Sequence, residues 1–306
     1  MNNKKLFFLF NPTSGRGLIR GYLMTILNIF VKAGYEVTVH PTQGRDDALN
    51  LIPQVTDRFD LLVCCGGDGT LYETVTGMMN APVKIPIGYI PAGSTNDFAA
   101  SLGIPKNLPD AATVAVTGRQ FHCDVGMFNN NYFVYVAAFG AFTDVSYQTH
   151  QILKNVLGHA AYVVESSRHL KDLSQSYHLT VKANGKVIED DFVYGMITNS
   201  VSVGGMKNLT GTQVELDDGL FEVTLIRALK NPLMLPEILA NLMRPVDNSQ
   251  SVNMYSFVTD HLEIISEEAV PWTLDGEYGG EHTSVVLDNC HKEITFIVGK
   301  KGERDE

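Results

Sequence analysis

Leu61-Leu62-Val63-Cys64-Cys65 is apolar without interruption, and Gly66-Gly67-Asp68-Gly69-Thr70 follows it at once. An unbroken apolar run marks a strand buried on both faces, the condition of a central strand in a parallel sheet. Thr70-Leu71-Tyr72-Glu73 fits a capping box, with Thr70 as N-cap and Glu73 reaching back to it. Leu71, Val75, Met78 and Met79 then recur at helical spacing. Strand, glycine turn and helix in this order constrain the chain to an α/β arrangement here.

The same rhythm fills the first third of the chain. Strands are expected at Lys5–Phe10, Glu36–His40 and Ile85–Ile90; Leu23, Ile26, Leu27, Phe30 and Val31 form one helical face, and Phe98–Leu102 begins another helix. This predicts a doubly wound, Rossmann-like α/β domain. After about residue 124 the pattern changes. Asn184-Gly185 is a hairpin signal, and short strands are expected at Phe192–Thr198, Leu220–Ile226, Val252–Val258, Leu262–Ile265, Ser284–Leu287 and Ile294–Val298. That predicts a mainly antiparallel β-sandwich, with helices at about 150–172 and 231–243. No repeat or low-complexity linker separates the halves, so they are expected to pack together.

A length of 306 residues suits two domains. The net charge of −11 disfavours nucleic acid and anionic surfaces as partners. Cysteines 64, 65, 123 and 290 make no CxxC pair and no metal-ligand spacing, so they read as reduced thiols of a cytosolic protein. The apolar stretch Leu6–Phe10 ends at Asn11-Pro12, too soon for a signal peptide. No apolar run reaches the length of a transmembrane helix.

Two further loops share the plan of Gly66–Thr70. Asn11-Pro12-Thr13-Ser14-Gly15-Arg16-Gly17 leaves the first strand, and Pro91-Ala92-Gly93-Ser94-Thr95-Asn96-Asp97 leaves the Ile85–Ile90 strand. Loops after parallel strands gather at one sheet edge, where such folds bind ligands. Glycine lets a ligand approach the backbone, and a helix N-terminus favours an anion. Together they predict a nucleotide site, although each loop alone also reads as an ordinary turn. No Walker loop and no GxGxxG after a strand is present. Phosphate charge would be met by backbone amides, Arg16 and Mg²⁺, the metal held largely through water. Asp68, Asp97 and Asp124 are the available carboxylates, each of which reads equally as a structural cap.

Five segments, Asn11-Pro12-Thr13-Ser14-Gly15, Gly66–Thr70, Gly93-Ser94-Thr95-Asn96-Asp97-Phe98, Asp217-Asp218-Gly219-Leu220 and Leu274-Asp275-Gly276-Glu277, resemble the diacylglycerol kinase catalytic-domain family in order and spacing. Gly66–Thr70 alone is similar to NAD kinases and phosphofructokinases as well. The resemblance implies a nucleotide-binding domain of residues 1–124 with 290–306, a β-sandwich lipid-substrate domain of 125–289, and an active site in the cleft between them. It implies ATP as phosphoryl donor and a diacylglycerol hydroxyl as acceptor, giving phosphatidic acid. Nucleotide-binding positions carried over are Asn11 to Arg16, Gly66 to Thr70, and Gly93, Ser94, Thr95 and Asn96. Asp68, Asp97 and Asp124 match a Mg²⁺–water network, Asp275 matches the general base, and Glu277 stands beside it. A structural Mg²⁺ would use the Asp218 side chain with the Glu215 and Leu220 carbonyls. Arg16 departs from the lysine of close relatives, replacing a compact ammonium by a planar fork. Ser94 departs from a commoner threonine.

Read without the resemblance, Leu274–Glu277 is equally a hairpin turn, since Asp-Gly is a turn dipeptide. Candidate lipid-contacting segments are Leu233–Met243, apolar nearly all round, and the locally basic stretch Lys154–Lys171. These predict a cytoplasmic enzyme that visits the membrane surface. Other lipid alcohols (phosphatidylglycerol, a sphingoid base), an NAD-kinase-like activity and a non-catalytic nucleotide-binding regulator stay open as alternatives, as does a homodimer.

Overall fold

A computed structural model of the chain describes residues 4–140, 175–200, 202–203, 206–207, 214–228 and 253–299. The helices expected at about 150–172 and 231–243, and both candidate lipid-contacting segments, lie outside the described residues. The chain divides into two compact units, Met1–Val125 with His291–Glu306, and Gly126–Cys290.

The first unit alternates strand and helix: β1 (Lys4–Phe10), α1 (Ile19–Lys32), β2 (Tyr35–Pro41), α2 (Asp47–Leu51), β3 (Leu61–Gly66), α3 (Asp68–Met79), β4 (Ile87–Pro91), α4 (Asp97–Ser101) and α5 (Leu108–Thr117). The strands lie parallel in the order β4-β3-β1-β2, with Leu6 opposite Leu61 and Leu62 opposite Ile87. Burial follows position. β3 and β4 are buried at every residue, whereas edge strand β2 is half open. The helix α1 buries Ile19, Ile26 and Phe30 along one face. It packs on α5, and α2 packs on α3. The end of the chain returns beside β4, where Phe296 pairs with Ile87.

One expectation at the first glycine turn fails. Thr70 is not the N-cap; α3 begins at Asp68, and Gly67 holds the cap position in extended backbone. Thr70 instead lies inside the first turn, packed so tightly under Gly66 that a Cβ there would sit 2.4 Å from its side chain. Glu73 does not reach back. Its carboxylate accepts from the Asp46 N–H at 2.9 Å and the Ala48 N–H at 3.2 Å, holding the start of α2.

The strands that follow are β5 (Arg119–Phe128), β6 (Asn131–Phe133), β7 (Val136–Gly140), β8 (Tyr177–Ala183), β9 (Lys186–Thr198), the short pair β10 (Ser202–Val203) and β11 (Met206–Lys207), β12 (Phe221–Arg227), β13 (Met254–Thr259), β14 (His261–Leu274) and β15 (Glu277–Val298). Within the second unit the pairings are antiparallel. Asn184 and Gly185 turn β8 into β9 with φ 51° and 70°. Long strands β9 and β14 both pair with β7 over one part of their length and with β8 over another. Phe133 of β6 stacks on Phe221 of β12 at 5.6 Å, although these strands stand far apart in the sheet order. The sheet therefore folds over its apolar face, and Phe128, Phe139, Leu179, Phe192, Val223, Trp272 and Leu287 meet in one core.

Candidate functional site

The three small-residue loops leave the carboxyl ends of β1, β3 and β4 and touch one another. The Asn11 N–H donates to the Cys65 carbonyl at 2.9 Å, and the Ala92 N–H to the Gly66 carbonyl at 2.8 Å. A Cβ on Gly15 would lie 2.2 Å from the Ala92 carbonyl oxygen, and one on Gly93 only 2.5 Å from the Gly67 Cα. Gly15, Arg16 and Gly17 all have positive φ, so the first loop turns left-handed where only glycine is at ease. Asn11 Oδ1 accepts from the Thr13 N–H and hydroxyl at 2.9 and 2.8 Å, and the Ser14 N–H donates to the Asn11 carbonyl, closing the turn around Pro12. The Asn96 amide clasps Gly93 from both sides, accepting from its N–H and donating to its carbonyl at 2.9 Å each. Ser94, Thr95 and Gly69 stay exposed.

Asp68 opens the first turn of α3 between these loops. Its Oδ2 accepts the Asn96 N–H at 3.0 Å, while Oδ1 is buried with no hydrogen-bond partner. Burial, and then the charge of Asp97, raise its pKa to about 6. Asp97 is itself 3% exposed. Two neighbouring carboxylates, one with an orphaned oxygen, fit a cation that would neutralise both. Asp124 lies on β5, fully buried, and accepts from the Lys292 N–H at 2.8 Å, with His291 Nδ1 at 3.1 Å. Among the described residues, no group of three or more His, Cys, Asp or Glu stands ready to enclose a metal directly. Cys64 is no nucleophile, since burial pushes its thiol up to about 12.

In the second unit Asp275 and Gly276 form the two-residue turn joining β14 to β15, with φ 51° and 85°. A turn aspartate normally faces water, yet Asp275 is 5% exposed. Its Oδ2 accepts the Val134 N–H at 2.6 Å; its Oδ1 accepts those of Tyr135 and Val136 at 2.9 and 3.0 Å. The Asp275 N–H donates back to the Val136 carbonyl at 2.8 Å, and the Tyr135 hydroxyl to the Asp275 carbonyl at 3.2 Å. Glu277 begins β15 opposite Leu274 and is exposed.

Asp218 is exposed in the turn before β12, its Oδ1 accepting the Leu220 N–H at 2.9 Å, and Glu215 is exposed just upstream. Sequence reasoning missed two neighbours of these acidic groups. His291 faces Asp124 from a strand 167 positions away. Glu222 is a buried acid within β12, detectable as the single acid in Phe221–Ile226; burial raises its pKa to about 8.

Comparison with known proteins places these features in context. Residues 5–128 match the model of the diacylglycerol kinase catalytic domain. The chain is 31% identical over 300 residues to a diacylglycerol kinase of Bacillus subtilis, covering 97% of each. It is 30% identical over 287 residues to one of Staphylococcus carnosus, covering 91% of this chain and 90% of the relative. A crystal structure of a diacylglycerol kinase from Bacillus anthracis superimposes with a TM-score of 0.78, covering 98% of each chain at 20% identity. That last likeness is one of fold.

Proposed function

The chain belongs to the diacylglycerol kinase family, and from that premise we propose that it transfers the γ-phosphoryl of ATP to the hydroxyl of diacylglycerol, giving phosphatidic acid. The observation that carries this reading is the meeting of three glycine-containing loops around Asp68, one of whose carboxylate oxygens is buried and orphaned. Parallel strands and paired helices support a doubly wound, Rossmann-like nucleotide domain, and the folded-over antiparallel sheet supports a sandwich that receives lipid.

Phosphoryl transfer leaves a protein little covalent work; it must align the partners and stabilise charge. The amides of Gly15, Gly67 and Gly69, the start of α3, and Arg16 would hold the phosphates, with the Gly93 loop lying against them. Asp68 and Asp97, together with Asp124, would hold Mg²⁺, which when bound neutralises charge on the transferred group. Asp275 would accept the proton of the lipid hydroxyl as its oxygen attacks the γ-phosphorus and the bond to the ADP oxygen breaks, with Glu277 beside it. The Asp217–Leu220 turn would hold a structural Mg²⁺. Among the described residues no helix is long and apolar enough to cross a membrane. The enzyme would meet its lipid as a peripheral visitor on the cytoplasmic side. Incubation with labelled ATP, Mg²⁺ and a panel of lipid alcohols, resolved by thin-layer chromatography, tests the proposal. Labelled phosphatidic acid is expected; a product only from another acceptor, or none, overturns it.

A further inference from the structure

Glu222 is only 8% exposed, and its Oε2 has no hydrogen-bond partner. Strand alternation sends Phe221, Val223 and Leu225 into the core, so Glu222 projects from the opposite face. Thr198 stands opposite it in register, but its hydroxyl donates to the Glu222 backbone carbonyl at 3.5 Å, not to the carboxylate. Four residues earlier, in the turn that leads into β12, stands Asp218, near enough for its charge to act on Glu222. A buried carboxylate with an unmet oxygen beside a second carboxylate is unfavourable by itself, and a hard divalent cation with oxygen ligands resolves it.

We propose that Glu222 supplies a second carboxylate, with Asp218, to a divalent cation held at the start of β12. This rests on the reading of the Asp217–Leu220 turn as a cation site and adds to it a ligand from the strand interior. The exposed turn alone would hold an ion weakly. A buried anchor couples the ion to the pairing of β12 with β9, so the metal fastens the sheet as well as the turn.

The test uses the full chain, stripped of metal by EDTA and titrated with Mg²⁺ alone, without nucleotide or lipid, while the unfolding temperature is followed. Wild type should unfold later as Mg²⁺ rises. Glu222→Gln should need at least about tenfold more Mg²⁺ for the same gain, yet unfold no earlier than wild type in EDTA. Asp218→Ala should show a comparable loss of response. The double variant should lose no more than the weaker single, because both act on one ion. A Glu222→Gln chain that titrates like wild type, or losses that add in the double variant, overturns the proposal. Should Glu222→Gln not fold, Glu222→Met, an apolar side chain of similar length, replaces it with the same two outcomes. A wild-type chain that ignores Mg²⁺ also overturns it, while lipid phosphorylation, assayed separately, judges the proposed function.

Discussion

Asp68 leaves one carboxylate oxygen buried without a partner, whereas Asp275 spreads its two oxygens over three backbone N–H groups. Each is followed by glycine, and each sits where the chain turns beside a strand. Their surroundings separate them. In the first unit the parallel strands end together, and their loops leave Asp68 among helix-start amides and a second acid. In the second unit the hairpin turn is laid against Val134–Val136, whose amides close on Asp275. An under-satisfied carboxylate can take a further partner; a fully engaged one is also part of the frame.

The largest effect expected is at Asp275. Asp275→Asn should lower lipid phosphorylation by about 10²–10⁴-fold, as losses of a general base do. Its new NH₂ must also face an N–H donor of the 134–136 segment, so the variant should unfold more easily by about 1–3 kcal/mol. Unchanged turnover at saturating lipid would remove Asp275 as base; an unchanged denaturant midpoint would break the contrast with Asp68.

At Asp68 the sign reverses. A carboxyl raised to about 6 is a group whose ionisation weakens the fold, the loss accumulating as pH climbs from the unfolded value towards 6. Asp68→Asn should therefore stabilise the metal-free, nucleotide-free protein at neutral pH by roughly 1–2 kcal/mol. The gain should vanish below about pH 4, where wild-type Asp68 is protonated too. The same variant should lose the rise in melting temperature expected of wild type with ATP and Mg²⁺. Melting curves in EDTA at several pH values, then with ligand, decide both points.

Gly93→Ala sharpens the comparison from the backbone side. Its Cβ meets the Gly67 Cα at 2.5 Å, so the loops must separate. About 1–3 kcal/mol of stability should go with the ATP-induced shift. Gly67→Ala, whose Cβ would stand 3.2 Å from Gly93 Cα, should be milder; equal effects would show that the loops do not bear on each other.

The smallest effect belongs to the surface. His178 lies between Asp191 at 2.9 Å and Glu189 at 3.4 Å, and these bonds raise its pKa. Its stabilisation is present below the unfolded value and fades as pH rises through the folded one. Asp191→Asn should therefore reduce stability slightly at about pH 6 and not at pH 8, less so in high salt. A difference that persists at pH 8 would assign Asp191 another role.

Much of the secondary structure was legible, because buried strands and one-sided helices leave periodic marks. β3 and α1 are examples, and Asn184-Gly185 turned as its dipeptide demands. What failed was settled by distant partners. Thr70 has the capping-box pattern, but Glu73 found stronger donors in the α2 turn. The burial of Asp275 depends on amides about 140 positions earlier, which no local pattern records. β14 continues past Ile265 through Ser266–Ala269, a mostly polar stretch that reads as loop; the register shifts between Ile265 and Val270, and pairing resumes beyond it.

The last strand gives the protein an unusual order of assembly. β15 lays Phe296 beside Ile87 in the first unit and pairs with β14 in the second. Domains made early on the ribosome usually fold before the rest has emerged. Here the first unit, though almost all of its residues come first, keeps the β4 edge bare until residue 297 has left the exit tunnel. Until then a nascent chain would carry that unpaired, apolar edge, a natural target for holding chaperones.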